Sequence, residues 1–252
     1  MVDLHSHILP GLDDGARSLE ESVEIALTAA RDGTTIMAAT PHVRDDYPTA
    51  AKRMEQLVFE LQRALRYRNV DLRVVGGAEI AIPRLRMLSD QELRRFGLGG
   101  NPRYLLIEFP YLGWPLSLES EIWNLRRRGF ITVLAHPERN PEVQRAPKSV
   151  EPLVAAGALV QLTAASVDGR LGRRNKRAAF ELISAGHAHL IASDAHWPGL
   201  REAGTTTAAQ SMHDPELANW LVYEVPMAIV QDTAIPERPE TRSGHFRRRR
   251  RR

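Results

Sequence analysis

One pattern repeats along most of the chain: a short apolar run, a polar loop, an amphipathic stretch and then a glycine. The apolar runs are unbroken rather than alternating, which is typical of parallel strands that are buried on both faces. Seven units of this kind predict an α/β fold, as a closed or nearly closed barrel or as a doubly wound sheet. The predicted strands are Val2–His5, Thr35–Thr40, Leu72–Ala78, Tyr104–Glu108, Ile131–Ala135, Leu159–Leu162 and His189–Ser193.

Amphipathic stretches between these runs predict the helices. Ser18 and Glu21 have the spacing of a capping box and open a helix that ends near Arg31. Four further helices are predicted at Thr49–Arg68, Leu118–Arg128, Val150–Ala156 and Arg174–Ala185. A glycine follows four of the five helices, at Gly33, Gly129, Gly157 and Gly186. This is expected where the residue that ends a helix has positive φ.

Length and composition exclude several classes of protein. The 252 residues fit one larger domain or two small ones, and the chain has no cysteine, so disulfides and cysteinyl-phosphate chemistry are excluded. No apolar run approaches the ~18 residues of a membrane span, and the start of the sequence lacks the features of a secretory signal, so we expect a cytoplasmic protein. A nucleic-acid binder is disfavoured because the basic charge is concentrated in the tail.

That tail dominates the net charge. The chain carries +3 overall, but Arg247–Arg252 contribute +6, so the remainder is mildly acidic at −3. We expect one domain over residues 1–235 and a disordered Pro/Arg-rich tail over residues 236–252. The alternative for the tail is a weak contact with an anionic surface.

Metal-binding residue types lie where the predicted strands end. Five of the nine histidines and three carboxylates occupy these positions, and Asp14 follows in the loop after the first strand. The candidates are His5, His7, Asp14, His42, Glu79, Glu108, His136, Asp194 and His196. Only the sixth strand, which ends Gln161-Leu-Thr163, lacks a plausible ligand. A single histidine at such a position is more often a hydrogen-bonding group, but a coincidence on this scale indicates a metal centre.

The spacing within these motifs supports the same interpretation. Residues i and i+2 of a strand point the same way, so His5 and His7 can face one site, as can Asp194 and His196. Imidazole and carboxylate ligands together suit Mn²⁺, Fe²⁺ or Zn²⁺. His187 and His189 precede or begin the last strand and are interpreted as structural, whereas His213 and His245 are expected at the surface.

Two arginines are placed to contact a phosphoryl group. Arg139 lies three residues after His136, and Arg201 lies five residues after His196. A guanidinium matches the geometry of phosphate oxygens and offsets charge in a phosphoryl-transfer transition state. We therefore predict a metal-dependent phosphoesterase.

The motifs taken together resemble the PHP superfamily, named after polymerase-associated and histidinol phosphatase members. The opening Asp3-Leu-His-Ser-His-Ile-Leu-Pro-Gly-Leu-Asp-Asp14 is especially similar to the manganese-dependent bacterial tyrosine phosphatases of the CpsB type, from capsule and exopolysaccharide operons. Thr40-Pro-His42, Gly77-Ala-Glu79, Glu108-Phe-Pro, Ala135-His136-Pro-Glu-Arg139 and Ser193-Asp194-Ala-His196 match in order and approximate spacing. The likeness covers residues 1–235. One departure is Val43, where relatives often carry a second histidine.

This resemblance implies a distorted seven-stranded (β/α) barrel, TIM-like, with its site at the carboxyl ends of the strands. It also implies three Mn²⁺ ions and phosphate-contacting roles for Arg139 and Arg201. The implied ligand sets are His5, His7, Glu79 and Asp194 for the first ion, Glu79, Glu108 and His136 for the second, and Asp14, His42 and His196 for the third. The implied substrate is a phosphotyrosine-bearing tail of a bacterial tyrosine kinase.

The residues alone are also compatible with other functions. A histidinol phosphatase would use the same metals, and an amidohydrolase also places His-x-His after its first strand. A non-catalytic metal-binding regulator of polysaccharide synthesis is a further possibility. Asp13 and Glu138 are candidates for a general acid, between which the sequence does not choose. The oligomeric state is not predicted.

Overall fold

The computed structural model describes residues 1–110, 113–197 and 201–240. Its strands are β1 (Val2–Asp3), β2 (Ile36–Ala38), β3 (His42–Val43), β4 (Arg73–Val75), β5 (Glu79–Ala81), β6 (Tyr104–Glu108), β7 (Ile131–Ala135), β8 (Leu159–Thr163) and β9 (Leu190–Ala192). They form two parallel sheets, one with the order β1-β2-β4 and one with the order β3-β5-β6-β7-β8-β9. The predicted α/β fold is thus confirmed, but the single closed barrel of seven strands is not.

Two of the predicted strands end early, and after a short break each is followed by a second strand that was not predicted, which explains the second sheet. The predicted strand Thr35–Thr40 ends at Ala38, and β3 begins beyond it at His42; the predicted strand Leu72–Ala78 ends at Val75, and β5 begins beyond it at Glu79. Pro41 in the first break has no N–H to donate to a ladder. In the second break, a Cβ on Gly77 would lie 3.1 Å from the Thr40 methyl group, so the glycine permits a close approach of the two breaks. His42 and Glu79 then pair across β3 and β5.

The chain after β1 joins the two sheets at the opposite edge. Ser6 forms an isolated parallel bridge with Ala195, just beyond β9. The His7 N–H donates to the Ala195 carbonyl at 2.8 Å, and the Asp194 N–H donates to the His5 carbonyl at 2.8 Å. On its other side, the Thr40 N–H donates to the Ser6 carbonyl at 2.8 Å. Residues 5–7 are therefore held by backbone hydrogen bonds from both directions.

Helices connect the strands, and the five predicted from sequence are present with ends shifted by at most two residues. The α-helices are α1 (Leu19–Arg31), α2 (Ala51–Tyr67), α3 (Ile82–Leu85), α4 (Asp90–Arg95), α5 (Leu118–Arg127), α6 (Pro141–Arg145), α7 (Glu151–Ala155), α8 (Ala164–Asp168), α9 (Arg173–Ser184), α10 (Thr206–Ser211), α11 (Pro215–Asn219) and α12 (Val225–Gln231), with a π-helix at Trp220–Glu224. Three 3₁₀ turns lie at Leu98–Gly100, Pro137–Arg139 and Pro147–Val150. The Ser18 hydroxyl caps α1 by accepting from the Glu21 N–H at 3.3 Å. The four predicted helix-ending glycines all have positive φ, between 79° and 100°.

Central strands are buried on both faces, as the unbroken apolar runs predicted. Every residue of β6 is buried, and so are the last four residues of β7 and of β8. Such burial holds the carboxyl ends of these strands rigidly, and the candidate ligands lie at those ends. Within the described part of the chain, none of the helices has the length and apolar character needed to cross a membrane.

The last described segment, residues 233–240, has no helix or strand. Trp220 donates from its indole Nε1 to the Pro236 carbonyl at 3.0 Å, and Arg238 donates to the Ile183 carbonyl at 2.8 Å. The arginine run Arg247–Arg252 lies outside the described residues. The predicted disorder of the tail and the domain boundary therefore stay predictions.

Candidate metal centre

All nine candidate ligands converge on one site at the carboxyl ends of the strands. They form four overlapping groups, in each of which the potential ligand atoms lie within 4.8 Å of one another. Eight of the nine residues are buried, and Asp14 is the exposed one. The groups are His5, His7 and Asp194; His5, Glu79 and His136; His42, Glu79 and Glu108; and His7, Asp14, His42 and His196.

The donor atoms of the first group have the spacing of metal ligands. His5 Nε2 and His7 Nε2 are 3.3 Å apart, and each lies 3.5 Å from Asp194 Oδ1. Two ligands that are each about 2.1 Å from a first-row divalent metal are about 3.4 Å apart at a tetrahedral angle. These three side chains therefore have the spacing of ligands to one such ion.

Glu79 links this group to its neighbours. Its Oε2 lies 3.4 Å from the Nε2 atoms of His5 and His7 and 3.0 Å from His42 Nδ1, while its Oε1 lies 2.8 Å from His136 Nε2. Glu108 Oε2 lies 3.6 Å from the same His42 nitrogen. The resemblance predicts Glu108 and His136 in one ligand set, whereas the structure groups Glu108 with His42 and groups His136 with His5, with Glu79 common to both groups.

His42 belongs to two of the groups, and each of its ring nitrogens faces one of them. Its Nδ1 faces Glu79 and Glu108, and its Nε2 lies 3.5 Å from Asp14 Oδ1. His196 Nε2 lies 3.3 Å from the same Asp14 oxygen. Asp14, His42 and His196 are thus brought together as the resemblance predicts, and the ring of His7 lies against that of His196, with centroids 4.0 Å apart.

Three acceptors orient the histidine rings, and none of them was given this role in the sequence analysis. The Gln161 amide oxygen lies 3.0 Å from His5 Nδ1, and the Asp13 carboxylate lies 2.7 Å from His7 Nδ1. His196 Nδ1 donates to the backbone carbonyl of Asp194 at 2.8 Å. Because each acceptor holds a proton on Nδ1, the lone pair of Nε2 is left for a metal. The sixth predicted strand has no candidate ligand, but its Gln161 orients the ring of His5.

The two candidates for a general acid are both engaged with protein groups. Asp13 binds the ring of His7 and also accepts from the His42 N–H at 2.9 Å. Glu138 is fully buried and accepts from the Thr163 N–H at 2.9 Å. Burial raises the pKa of the Glu138 carboxyl. These contacts indicate positioning roles for Asp13 and Glu138.

Both predicted arginines contact the outer oxygen of Asp194. Arg139 Nη1 lies 2.6 Å and Arg201 Nη1 lies 3.3 Å from Asp194 Oδ2, while Oδ1 of the same carboxylate faces the first group. Two guanidinium groups therefore lie directly beside the ligand cluster. A third arginine, Arg44, was not foreseen and reaches Glu108 Oε2 with its Nη1 at 3.5 Å. Its position two residues after His42 was the available signal.

The buried carboxylates and histidines of this site shift one another's pKa values. Burial would raise the pKa of the Asp194 carboxyl, but the neighbouring His5, His7 and Arg139 hold it well below its usual range. Burial and the charge of Arg139 together lower the pKa of His136 to about 4, against the opposite effect of Glu79, so this imidazole is neutral at pH 7. Burial disfavours the charged form of His7, but Asp13, Asp194 and Glu79 raise the pKa of His7 well above its usual range, and a bound cation would take the place of that proton. Ionised carboxylates and neutral imidazoles are the forms that ligate metals.

Two of the ligands have an unusual backbone conformation. His136 has φ 38° and Asp194 has φ 54°, in the left-handed region that residues other than glycine rarely adopt. His136 directly follows β7, and Asp194 lies two residues after the end of β9. Strain of this kind concentrates at functional sites.

The remaining histidines have other surroundings. His189 Nδ1 accepts from the Val160 N–H at 3.1 Å, which agrees with the structural role predicted for it. His187 is half-buried and His213 is exposed. His245 lies outside the described residues.

Comparisons with known proteins agree with this site. The chain is 36% identical over 197 residues to the tyrosine-protein phosphatase YwqE of Bacillus subtilis, covering 78% of this chain and 77% of the relative. It is 27% identical over 202 residues to the tyrosine-protein phosphatase CpsB of Streptococcus pneumoniae, covering 78% and 83%. A crystal structure from work on these two proteins, described as metal-dependent tyrosine phosphatases, superposes with a TM-score of 0.85 at 31% identity and covers 96% of this chain and 100% of the other. Residues 1–231 match the family described as "Capsular polysaccharide synthesis, CpsB/CapC", and the chain therefore belongs to the CpsB/CapC family.

Proposed function

We propose that this protein is a metal-dependent protein-tyrosine phosphatase. The observation that carries the proposal is the position of Asp194, whose inner oxygen lies 3.5 Å from His5 Nε2 and from His7 Nε2 while its outer oxygen contacts Arg139 and Arg201. A phosphate held by the two guanidinium groups would thus lie beside the metal centre. The similarity to YwqE and CpsB supports phosphotyrosine as the substrate group.

The proposed cofactor is Mn²⁺, with three ions per chain, and Fe²⁺ or Zn²⁺ accepted by the same donors. The first ion would be held by His5, His7, Glu79 and Asp194, the set that the family resemblance implies. The other two would share Glu79 and His42 with Glu108, His136, Asp14 and His196. When bound, divalent cations lower the pKa of water towards neutrality and offset the charge of phosphoryl oxygens.

The protein's own groups would then position the substrate. Arg139 and Arg201 would exchange their contact with Asp194 for phosphate oxygens and stabilise the negative charge of the transition state. A tyrosine leaving group has a pKa of about 10, which reduces the need for a strong general acid. No step passes through a cysteinyl-phosphate, since the chain has no cysteine.

The proposed substrate is the phosphotyrosine-bearing tail of a bacterial tyrosine kinase that controls capsule or exopolysaccharide synthesis. The family description supports this context. We also propose that the two sheets, which the Ser6–Ala195 bridge joins, correspond to the distorted barrel implied by the PHP resemblance.

Metal analysis combined with turnover tests this function. The purified protein should release phosphate from a phosphotyrosyl peptide, lose this activity on chelation and regain it with Mn²⁺. His136→Ala should abolish turnover with the fold retained, whereas His213→Ala, at an exposed histidine, should leave turnover unchanged. Near-normal activity of His136→Ala in a metal-replete assay would refute the proposal. Preferential hydrolysis of histidinol phosphate, or of an amide, would assign the same centre to another reaction.

A further inference from the structure

A group of basic side chains lies at the start of α9, outside the candidate metal centre. Between positions 168 and 181 the chain has five basic residues and two acidic ones. Both acids are already paired, Asp168 with Arg170 at 2.8 Å and Glu181 with Arg177 at 2.7 Å. Arg173 and Arg174 are exposed, and neither forms an ion pair with a carboxylate in the described part of the chain. We refer to Arg173, Arg174, Lys176 and Arg177, all at the start of α9, as the basic patch.

Chain topology places the first turn of α9, with Arg173 and Arg174, at the same end of the sheet as the candidate ligands. Strand β8 ends at Thr163, α8 begins at Ala164, and α9 then returns from Arg173 to the amino end of β9 at Leu190. The first turn of α9 therefore lies at the carboxyl ends of the strands. His136 and Asp194 follow the carboxyl ends of the two strands that flank β8 in the sheet.

Hydrogen bonds connect the patch to the turn that carries Arg139. Asn175, between Arg174 and Lys176, accepts from the Gln144 side chain at 2.7 Å. The same Gln144 amide group donates to the Glu138 carbonyl at 3.0 Å. Two hydrogen bonds thus separate the patch from the residue next to Arg139. A chain that presents a phosphate to Arg139 can reach the basic patch with its neighbouring residues.

The position of these arginines is not explained by helix stability. The first turn of α9 contains Arg173 and Arg174 and no acidic residue, and Gly172 before it offers no side-chain cap. The partial positive charge of a helix N-terminus disfavours basic residues at this position. A surplus of positive charge beside a phosphate-handling site instead favours an anionic ligand.

We propose that the basic patch is a docking surface for the acidic or multiply phosphorylated peptide segment that flanks the phosphotyrosine. The inference rests on the proposed function and adds a second point of recognition outside the metal centre. Arg173 and Arg174 would bind carboxylate or phosphate groups of the flanking residues, and the phosphate to be removed would be held by Arg139 and Arg201. Because this contact is made equally in the ground state and the transition state, it should act on KM rather than on kcat.

The test is the double variant Arg173→Glu/Arg174→Glu, assayed with three substrates. These are an acidic peptide with one phosphotyrosine, the same peptide with each flanking Asp or Glu changed to Asn or Gln, and p-nitrophenyl phosphate. We expect kcat/KM for the acidic peptide to fall about tenfold, through KM, with the other two substrates unaffected. The preference of the wild type for the acidic peptide should also disappear at about 1 M salt, where the screening length is about 3 Å.

A matched control separates this effect from a change in net charge. Arg66→Glu/Arg127→Glu alters the charge by the same amount at two exposed arginines near the ends of α2 and α5, which lead into β4 and β7 at the opposite end of the sheets. This variant should keep the preference for the acidic peptide. Acidic residues suit the first turn of a helix, so Arg173→Glu/Arg174→Glu should melt no lower than the wild type.

The possible outcomes distinguish the patch from the proposed function. The preference for the acidic peptide is the ratio of its kcat/KM to that of the neutral peptide. If this ratio is the same in the wild type and in the patch variant, with p-nitrophenyl phosphate turnover intact, the docking surface alone is overturned. Failure of the wild type to hydrolyse any of the three substrates would overturn the proposed function. Loss of binding to phosphatidylserine vesicles in the patch variant, with unchanged peptide kinetics, would assign the patch to a membrane surface and overturn the inference.

Discussion

Replacing Gln161 by leucine should weaken metal binding, although Gln161 is not itself expected to be a ligand. Its amide oxygen accepts from His5 Nδ1 at 3.0 Å and from the His136 N–H at 3.2 Å. The His136 N–H also donates to the Gln161 backbone carbonyl at 2.9 Å, so it keeps a partner in the variant. The Gln161 Nε2 atom is buried and has no hydrogen-bond partner among the described residues. The loss therefore falls on His5 alone.

The magnitude follows from the tautomer of His5. Without an acceptor at Nδ1, the buried ring either leaves that N–H unsatisfied, at a cost of about 1–3 kcal/mol, or moves the proton to Nε2 and blocks the lone pair that faces Glu79 and Asp194. Loss of a supporting contact of this kind typically reduces metal affinity about 10–100-fold, which corresponds to about 1.4–2.7 kcal/mol. We expect a decrease of this size in Gln161→Leu.

Competition between the protein and a chelator of known affinity for Mn²⁺ or Zn²⁺ measures this effect. The control is Gln62→Leu, which removes a half-buried glutamine whose oxygen accepts from the Val74 N–H at 2.8 Å, away from the candidate ligands. Gln62→Leu should lower the free energy of unfolding with metal affinity unchanged. Unaltered metal affinity of Gln161→Leu, or an equal decrease in both variants, would refute the role assigned to Gln161.

Three further predictions concern the centre and its surroundings. Arg139→Ala should reduce kcat by a factor that corresponds to about 2–4 kcal/mol, measured by steady-state turnover of a phosphotyrosyl peptide, and an effect on KM alone would contradict a role in the transition state. Asp13→Asn should lower metal affinity in a chelator competition because the neutral amide holds the Nδ1 proton of His7 less firmly; retention of full affinity would contradict this. Burial lowers the pKa of His189 to about 4 from the unperturbed 6.5, so its contribution to stability is complete above pH 6.5 and is lost as the pH falls towards 4. Unfolding free energies measured over this window in the presence of chelator should fall less steeply for His189→Asn than for the wild type, and parallel curves would disprove the assignment.

Much of the site could be predicted because parallel strands end at a common edge. The prediction of β6 and β7 agrees with the structure residue for residue, and a ligand candidate follows or ends each of them. His-x-His and Asp-x-His were informative for a similar reason, since alternation along a strand directs both side chains to one side. Each of these inferences needed only local spacing and one rule of topology.

What the sequence did not reveal depends on which residues meet in space. The breaks after Ala38 and Val75 lie inside apolar runs, and only the approach of Thr40 to Gly77 shows why the chain changes sheets there. Gln161 is 156 positions from His5 in the chain, so no local pattern relates the two. The grouping of Glu108 with His42 likewise follows from the pairing of β3, β5 and β6.

The two breaks have equal length, and this places a strict limit on insertions. Three residues separate β2 from β3 and three separate β4 from β5, so His42 and Glu79 each begin a strand of the second sheet and pair with each other. Because alternate residues of a strand face opposite sides, one added residue in either break would turn the corresponding candidate ligand away from the cluster. Surface loops of this enzyme should therefore tolerate changes of length, whereas these two short connections should not.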